Sequence, residues 1–265
     1  MTNDTVLLEQ NDDGITWVTL NRPEVHNAFD EMMIARLREI FQILEKDNHC
    51  RAVVLRGAGK SFSAGADLNW MKRAADFSHN QNLADAEYLA AMLNTLHNLN
   101  KMTIACVRGA AMGGGLGLLS CCDLVIAEEN TTFALSEVKI GLIPATISPY
   151  VLAAMGPRNA RRYFQTGEKF RGQRAYDLGL VHELCATEDE MDAQLNIILD
   201  HVRSAGPLAM REAKRLIMDY AGRPLDVDIM EDSAERIAAI RARPEAREGL
   251  NAFFNKRKPD WYGKG

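Results

Sequence analysis

The sequence has little of what would place it outside the cell, in a membrane or on nucleic acid. Five cysteines, Cys50, Cys106, Cys121, Cys122 and Cys185, form no Cys-x-x-Cys pair. An odd, scattered set speaks against a disulfide framework and fits a reducing compartment. No apolar run approaches the roughly 18 residues that suggest a membrane-spanning helix. The start, Met1-Thr2-Asn3-Asp4-Thr5, lacks both a basic, apolar secretion signal and an Arg/Ser-rich transit pattern, so an unprocessed cytoplasmic protein is expected. The six histidines show no HxxxH or HExxH spacing, which leaves metal catalysis with little support. Positive charge is not in excess either: 31 Lys and Arg stand against 36 Asp and Glu, for a net charge of -5. That balance argues against a general phosphate-backbone binder.

What is present is a globular composition. The 265 residues are 47% hydrophobic and 25% charged, enough for a large core in one or two domains. The chain is organised around Val107-Arg108-Gly109-Ala110-Ala111-Met112-Gly113-Gly114-Gly115-Leu116-Gly117. Thr103 to Val107 reads as a buried strand, the glycines as a sharp turn, and Leu116 to Cys122 as a helix start. Glycine allows close backbone approach, and a helix start offers unpaired N–H groups, so such a turn can hold a developing negative charge. Alternatively, the glycines only let a helix pack tightly on a strand.

Val6 to Glu9 and Ile15 to Leu20, around Asn11-Asp12-Asp13-Gly14, read as a hairpin. Met33, Leu37, Ile40, Phe41 and Leu44 fall on one helical face. The polar loop Asn21 to Ala28 between them is either a connection or a ligand rim. Ala52 to Leu55 reads as another strand, followed by a second glycine turn, Gly57 to Leu68. Its Gly59-Lys60-Ser61 is not a phosphate-binding loop, because that motif needs glycine five places earlier, where Val54 stands. Two such turns are able to place backbone donors around one oxygen. Met71 to about Asn100 reads as helical, with Leu89, Met92, Leu93, Leu96 and Leu99 as a core stripe. Leu124 to Ala127 and Thr132 to Ala134 read as strands, giving an α/β rhythm. Beyond about Glu188 the strands give way to helices, which suggests a core over 1–195 and a helical region over 196–265. The apolar faces of that region, such as Leu208, Ala209, Ala213, Leu216 and Ile217, call for burial against the core or another subunit. Ser63 has no G-x-S-x-G context and is not read as a nucleophile. Cys121-Cys122 reads as packing.

Over nearly its full length the chain resembles the enoyl-CoA hydratase/isomerase, or crotonase, superfamily. The resemblance rests on Leu20-Asn21-Arg22-Pro23 with Asn27-Ala28, Phe62 to Leu68, the Gly109 to Gly115 turn, Cys122-Asp123-Leu124, and Phe133-Ala134-Leu135-Ser136-Glu137 with Gly141-Leu142-Ile143-Pro144. It implies an α/β spiral of β-β-α turns with a C-terminal helical region, assembled as a homotrimer or dimer of trimers. It also implies an acyl-CoA thioester substrate, with no cofactor beyond the CoA that the substrate carries. The Ala66 and Gly114 amides map to the pair that holds the thioester oxygen. Arg22, Val25, Ala64, Asp67, Leu68 and Asn69 match segments that line the CoA path, and Phe253 with Lys256 match an aromatic and basic pair at the nucleotide end. Read without the family, Lys256-Arg257-Lys258 is a solvated charge run.

Hydration of an enoyl thioester needs a base on water and an acid on Cα. Family hydratases with two glutamates place one just after the glycine turn and one at the position of Glu137. Here Glu137 is present and the first position is Gly117. Glu137 sits among apolar residues, which raises a carboxyl pKa; the plainer reading is a salt bridge to Lys139. Gly117 removes a base and is expected to open space for a water or a branched, polar acyl tail. A Δ3-Δ2 enoyl-CoA isomerase needs only Glu137, and a non-catalytic acyl-CoA binder needs neither glutamate. Asp67 to Arg73, Gly117 and Ser136 to Tyr150 together resemble the bacterial branch that hydrates 3-methylglutaconyl-CoA in leucine breakdown. Relatives of that branch act on isohexenylglutaconyl-CoA. Both substrates carry a distal carboxylate, for which Lys72, Arg73 or Lys139 is a candidate cation.

Overall fold

The apolar runs form two sheets in the computed structural model, which describes residues 4–262, so Met1, Thr2 and Asn3 of the N-terminal stretch lie outside the described residues. The strands are β1 (Val6–Gln10), β2 (Ile15–Leu20), β3 (Ala52–Gly57), β4 (Met102–Val107), β5 (Ala110–Met112), β6 (Leu124–Glu128), β7 (Thr132–Ala134), β8 (Phe170–Arg171) and β9 (Glu183–Cys185). A six-stranded sheet runs in the order β1-β2-β3-β4-β6-β9, and a three-stranded sheet in the order β5-β7-β8. Only β1 is antiparallel in the larger sheet, paired to β2 with Val6 opposite Leu20. The turn between them is fixed by Asn11, whose side chain accepts from Asp13 N and Ile15 N at 3.1 and 2.9 Å.

Helix α1 (Glu31–Lys46) starts where Asp30 accepts from Met33 N at 2.9 Å, and it buries the expected face together with Ile34. Each such side chain contributes about 1.5–3 kcal/mol of hydrophobic stabilisation relative to exposure. The single helix expected over Met71 to Asn100 is two, α2 (Leu68–Ala74) and α3 (His79–His97). Ser78 and Gln81 form a capping box that restarts the chain. Met92, Leu93 and Leu96 of α3 are buried as the stripe predicts. Helix α4 (Gly114–Ser120) begins two residues before Leu116, so Gly114 itself is its first residue.

The C-terminal part comprises α5 (Ser148–Thr166), α6 (Gly172–Asp177), α7 (Glu188–Ser204), α8 (Pro207–Tyr220), α9 (Val227–Arg241) and α10 (Pro244–Phe254). A division between 195 and 196 falls inside α7. Met191, Leu195, Leu199 and Val202 of that helix pack on one face of the larger sheet, so the core extends to its end. Arg51, buried at the foot of β3, donates to Val202 O at 2.8 Å, to Ala205 O at 2.7 Å and to Trp261 O at 3.2 Å. This one guanidinium fastens the end of α7 and the C-terminal tail to the sheet. Helix α8 buries no residue of its own, and α9 and α10 bury only Ile229 and Ala252. No described helix is long and apolar enough to cross a membrane.

Candidate active site

Each turn of the chain leaves the larger sheet and adds a short rung to a second layer. After β2 comes Phe29, after β3 come Ser63 and Ala66, after β4 comes β5, and after β6 comes β7. Parallel bridges join Phe29 to Ala66 and Ser63 to Ala111, and β5 pairs with β7 with Met112 opposite Ala134. Successive turns therefore deliver Ala66, Gly114 and the residues after Ala134 side by side.

The two glycine turns meet closely. A Cβ added to Gly65 would stand 2.9 Å from Met112 O and 3.6 Å from Gly114 N, and Gly65 has φ +90°, so both space and backbone require glycine there. Phe29 N donates to Gly65 O at 2.7 Å and Asp67 N to Phe29 O at 2.8 Å, leaving Ala66 between them. Neither Ala66 N nor Gly114 N donates a hydrogen bond among the described residues. Gly114 N is one of the orphan donors of a helix start. Ala66 is exposed and Gly114 half-buried.

Gly113 N donates to Ala134 O at 2.9 Å and ties this turn to β7, from which the chain runs on to Glu137. Glu137 opens a short 3-10 turn, Glu137–Ile140, that ends at Gly141 in the left-handed conformation. Its Oε1 lies 3.0 Å from where a Cβ on Gly113 would stand, so the carboxyl rests against the bare backbone of the glycine turn. Oε2 is buried with no hydrogen-bond partner. Burial raises the pKa of Glu137, partly opposed by a hydrogen bond from its own backbone. No ion pair joins it to Lys139 among the described residues, which removes the salt-bridge reading. Instead, the Lys139 Cε lies 3.2 Å from where a Cβ on Gly167 would stand, at the end of α5.

Gly117 differs from expectation. A Cβ on it would come within 2.1 Å of Ile147 Cγ2 and 2.6 Å of Ile147 Cβ. The room left by the missing side chain is filled by Ile147, itself 2% exposed, and is not open to a water or an acyl branch. The remaining matched residues divide by what their side chains do. Arg22 donates to Ala28 O at 2.7 Å and pairs with Asp30 at 3.0 Å and Asp67 at 2.9 Å. Asp67 also caps α2, accepting from Asn69 N and Trp70 N, and its pKa is lowered by these bonds against the effect of burial. Both side chains hold the two loops together. Val25 ends a 3-10 turn on the same rim, while Ala64, Leu68 and Asn69 are exposed beside Ala66. Phe253 and Lys256 lie on α10 and the turn after it, with no hydrogen bond or ion pair to the glycine turns among the described residues. Arg73 is paired with Glu31 at 2.7 Å.

The sequence names Asn27 and Ser63 but carries little sign of the bracing they supply. Asn27, buried with φ 54°, accepts from Arg22 N at 2.8 Å and donates to Ala58 O at 2.9 Å and Ser61 O at 2.8 Å. Ser63 Oγ donates to Asn27 O at 2.9 Å and accepts from Gly65 N at 3.2 Å, a bracing role and not a nucleophilic one. An asparagine at positive φ carries a weak sequence signal; the placement of Ile147 carries none.

A two-layer spiral of β-β-α turns with a helical C-terminal part is the crotonase fold. The enoyl-CoA hydratase/isomerase family model matches residues 10–264, and the chain belongs to that family. It is an enzyme of the hydratase-type lyase class. An enoyl-CoA hydratase of Shewanella pealeana superposes with a TM-score of 0.94 at 43% identity, covering 98% of this chain and 97% of that one. An enoyl-CoA hydratase/isomerase of Marinobacter aquaeolei superposes with a TM-score of 0.92 at 35% identity, covering 97% and 99%. The 2,3-dehydroadipyl-CoA hydratase of Escherichia coli is 29% identical over 256 residues, 93% of this chain and 94% of its own length.

Proposed function

We propose that the protein hydrates a branched, glutaconyl-type enoyl-CoA such as 3-methylglutaconyl-CoA, with Glu137 as its one acid and base. The observation that carries this is the juxtaposition of two amides without partners, Ala66 N and Gly114 N, with a buried carboxyl that has an unpartnered oxygen. With the thioester oxygen on the two amides, negative charge that develops there meets fixed donors, and losing one such donor typically costs about 3–4 kcal/mol of barrier. Glu137 takes a proton from water as the water oxygen bonds to Cβ, and the Cα=Cβ electron pair moves to the thioester enolate. The protonated Glu137 then returns that proton to Cα as the enolate collapses. One molecule of water is added, with H and OH on the same face. A raised pKa suits a group that must both accept and give a proton near neutrality.

For the distal carboxylate, Lys72 is the cation this reading assigns. It is exposed near the end of α2, the helix that follows Ala66, and makes no ion pair among the described residues, whereas Arg73 is held by Glu31. A dicarboxylic acyl group in the Escherichia coli relative's name supports a substrate of this class. Phe253 and Lys256 are assigned to the nucleotide end. The exposed apolar residues of α8 to α10, including Ile217 at 68% and Ile237 at 47%, support assembly of trimers through this region. One observation favours a second reading, Δ3-Δ2 isomerisation: Ile147 covers Gly117, so no second polar group stands there to hold a water. Turnover of 3-methylglutaconyl-CoA, crotonyl-CoA and a 3-enoyl-CoA by one preparation separates the two; a dominant 3-enoyl reaction displaces the hydratase reading.

A further inference from the structure

Gly113 caps α4 and Gly117 lies one turn along it, its backbone N donating to Gly113 O at 3.0 Å. The Glu137 carboxyl lies over the first of these positions and Ile147 over the second. Ile147 is the N-cap of α5, its carbonyl accepting from Val151 N at 3.2 Å, and its side chain packs in the main apolar cluster. It donates and accepts nothing through its side chain, and its β-branched shape is stiff.

We infer that Ile147 is a specificity-determining plug, which closes the volume one helical turn from the Glu137 carboxyl and so limits the size of the group on the substrate's Cβ. This rests on the enoyl-thioester reading of the site. Residue 117 and residue 147 compete for one space, and in this chain the space goes to an apolar side chain. A second acid is excluded, and so is a bulky substituent on the carbon that receives water. The substrate class is therefore an enoyl thioester whose Cβ carries hydrogen or a methyl group, with longer groups on the chain's far end and not on Cβ. Shrinking the plug enlarges the site at that one point, and this is a gain that simple loss of stability cannot produce.

The test is kcat/KM for a linear 2-enoyl-CoA and its 3-methyl and 3-ethyl homologues, with the wild type, Ile147→Val and Ile147→Ala. Val keeps Cγ2 over Gly117 and removes only the outer methyl, whereas Ala opens the space. The 3-ethyl to 3-methyl ratio is expected to rise about tenfold or more in Ile147→Ala, the usual effect of about one methylene in an apolar pocket, and by a smaller factor in Ile147→Val. Folding is checked by far-UV circular dichroism. If Ile147→Ala does not fold, the Val ratio decides: a rise supports the plug and an unchanged ratio overturns it. A folded Ile147→Ala with an unchanged ratio also overturns it. A wild type that neither binds nor turns over any of the three thioesters overturns the enoyl-thioester reading itself, which is a different result from an unchanged ratio.

Discussion

Replacing Gly117 by alanine tests the packing beneath the site. In an ordinary helix interior glycine to alanine gains about 1 kcal/mol. Here the new Cβ would stand 2.1 Å from Ile147 Cγ2, while apolar carbons pack best at about 3.5–4.0 Å. Both residues are buried, so neither relaxes into solvent. Overpacking of this kind costs about 1–3 kcal/mol and offsets or exceeds the helical gain, leaving Gly117→Ala up to about 2 kcal/mol less stable than the wild type. Ile147→Ala alone leaves a cavity and costs about 2–5 kcal/mol. In the double variant the added methyl enters that cavity, so Gly117→Ala should stabilise the Ile147→Ala background by about 1 kcal/mol. The assay is denaturant unfolding of all four proteins at one protein concentration, because oligomerisation makes stability concentration-dependent. Additive effects, or a Gly117→Ala protein that shows the full helical gain of about 1 kcal/mol, would refute the claim that the two residues share one space.

Glu137→Gln should fold and lose at least about 100-fold in kcat, the lower range for a positioned acid-base group. Its stability carries a second signature. A raised native pKa means that the folded state holds the Glu137 proton more tightly than the unfolded chain does. Stability from this group is therefore present below its unfolded pKa and lost as pH rises through the raised native value. Thermal unfolding should show Glu137→Gln gaining relative to the wild type between acid and neutral pH. Arg51→Met removes the donor to the Val202, Arg203, Ala205 and Trp261 carbonyls and should cost about 3 kcal/mol, with faster proteolysis of the tail beyond α7. Ile217→Asp should lower the mass seen by light scattering if α8 is a subunit face; an unchanged assembly would move the interface elsewhere.

Much of the fold was legible because its strands are short apolar runs and its helices carry one apolar stripe. The face of α1 and the strands before each glycine turn needed no tertiary information. The break between α2 and α3 sits at the Ser78 and Gln81 capping box, which a continuous helical reading of Met71 to Asn100 runs across. At the site, the positions of the glycine turns and the apolar setting of Glu137 were readable from the sequence. Their bracing by Asn27 and Ser63 joins segments more than 30 residues apart, which local pattern does not encode. Gly117 shows the limit most clearly. A missing side chain was legible as an absence, but whether space results depends on residue 147, which another turn of the spiral supplies.

The most direct test of a single-carboxylate hydratase is product analysis in water labelled with heavy oxygen, using 3-methylglutaconyl-CoA, crotonyl-CoA and a 3-enoyl-CoA. The account predicts labelled hydroxyl incorporated mainly into the methylglutaconyl thioester, and its loss in Glu137→Gln. A rearranged 3-enoyl thioester carrying no label, with the other two unchanged, would contradict it and make Glu137 a proton shuttle alone.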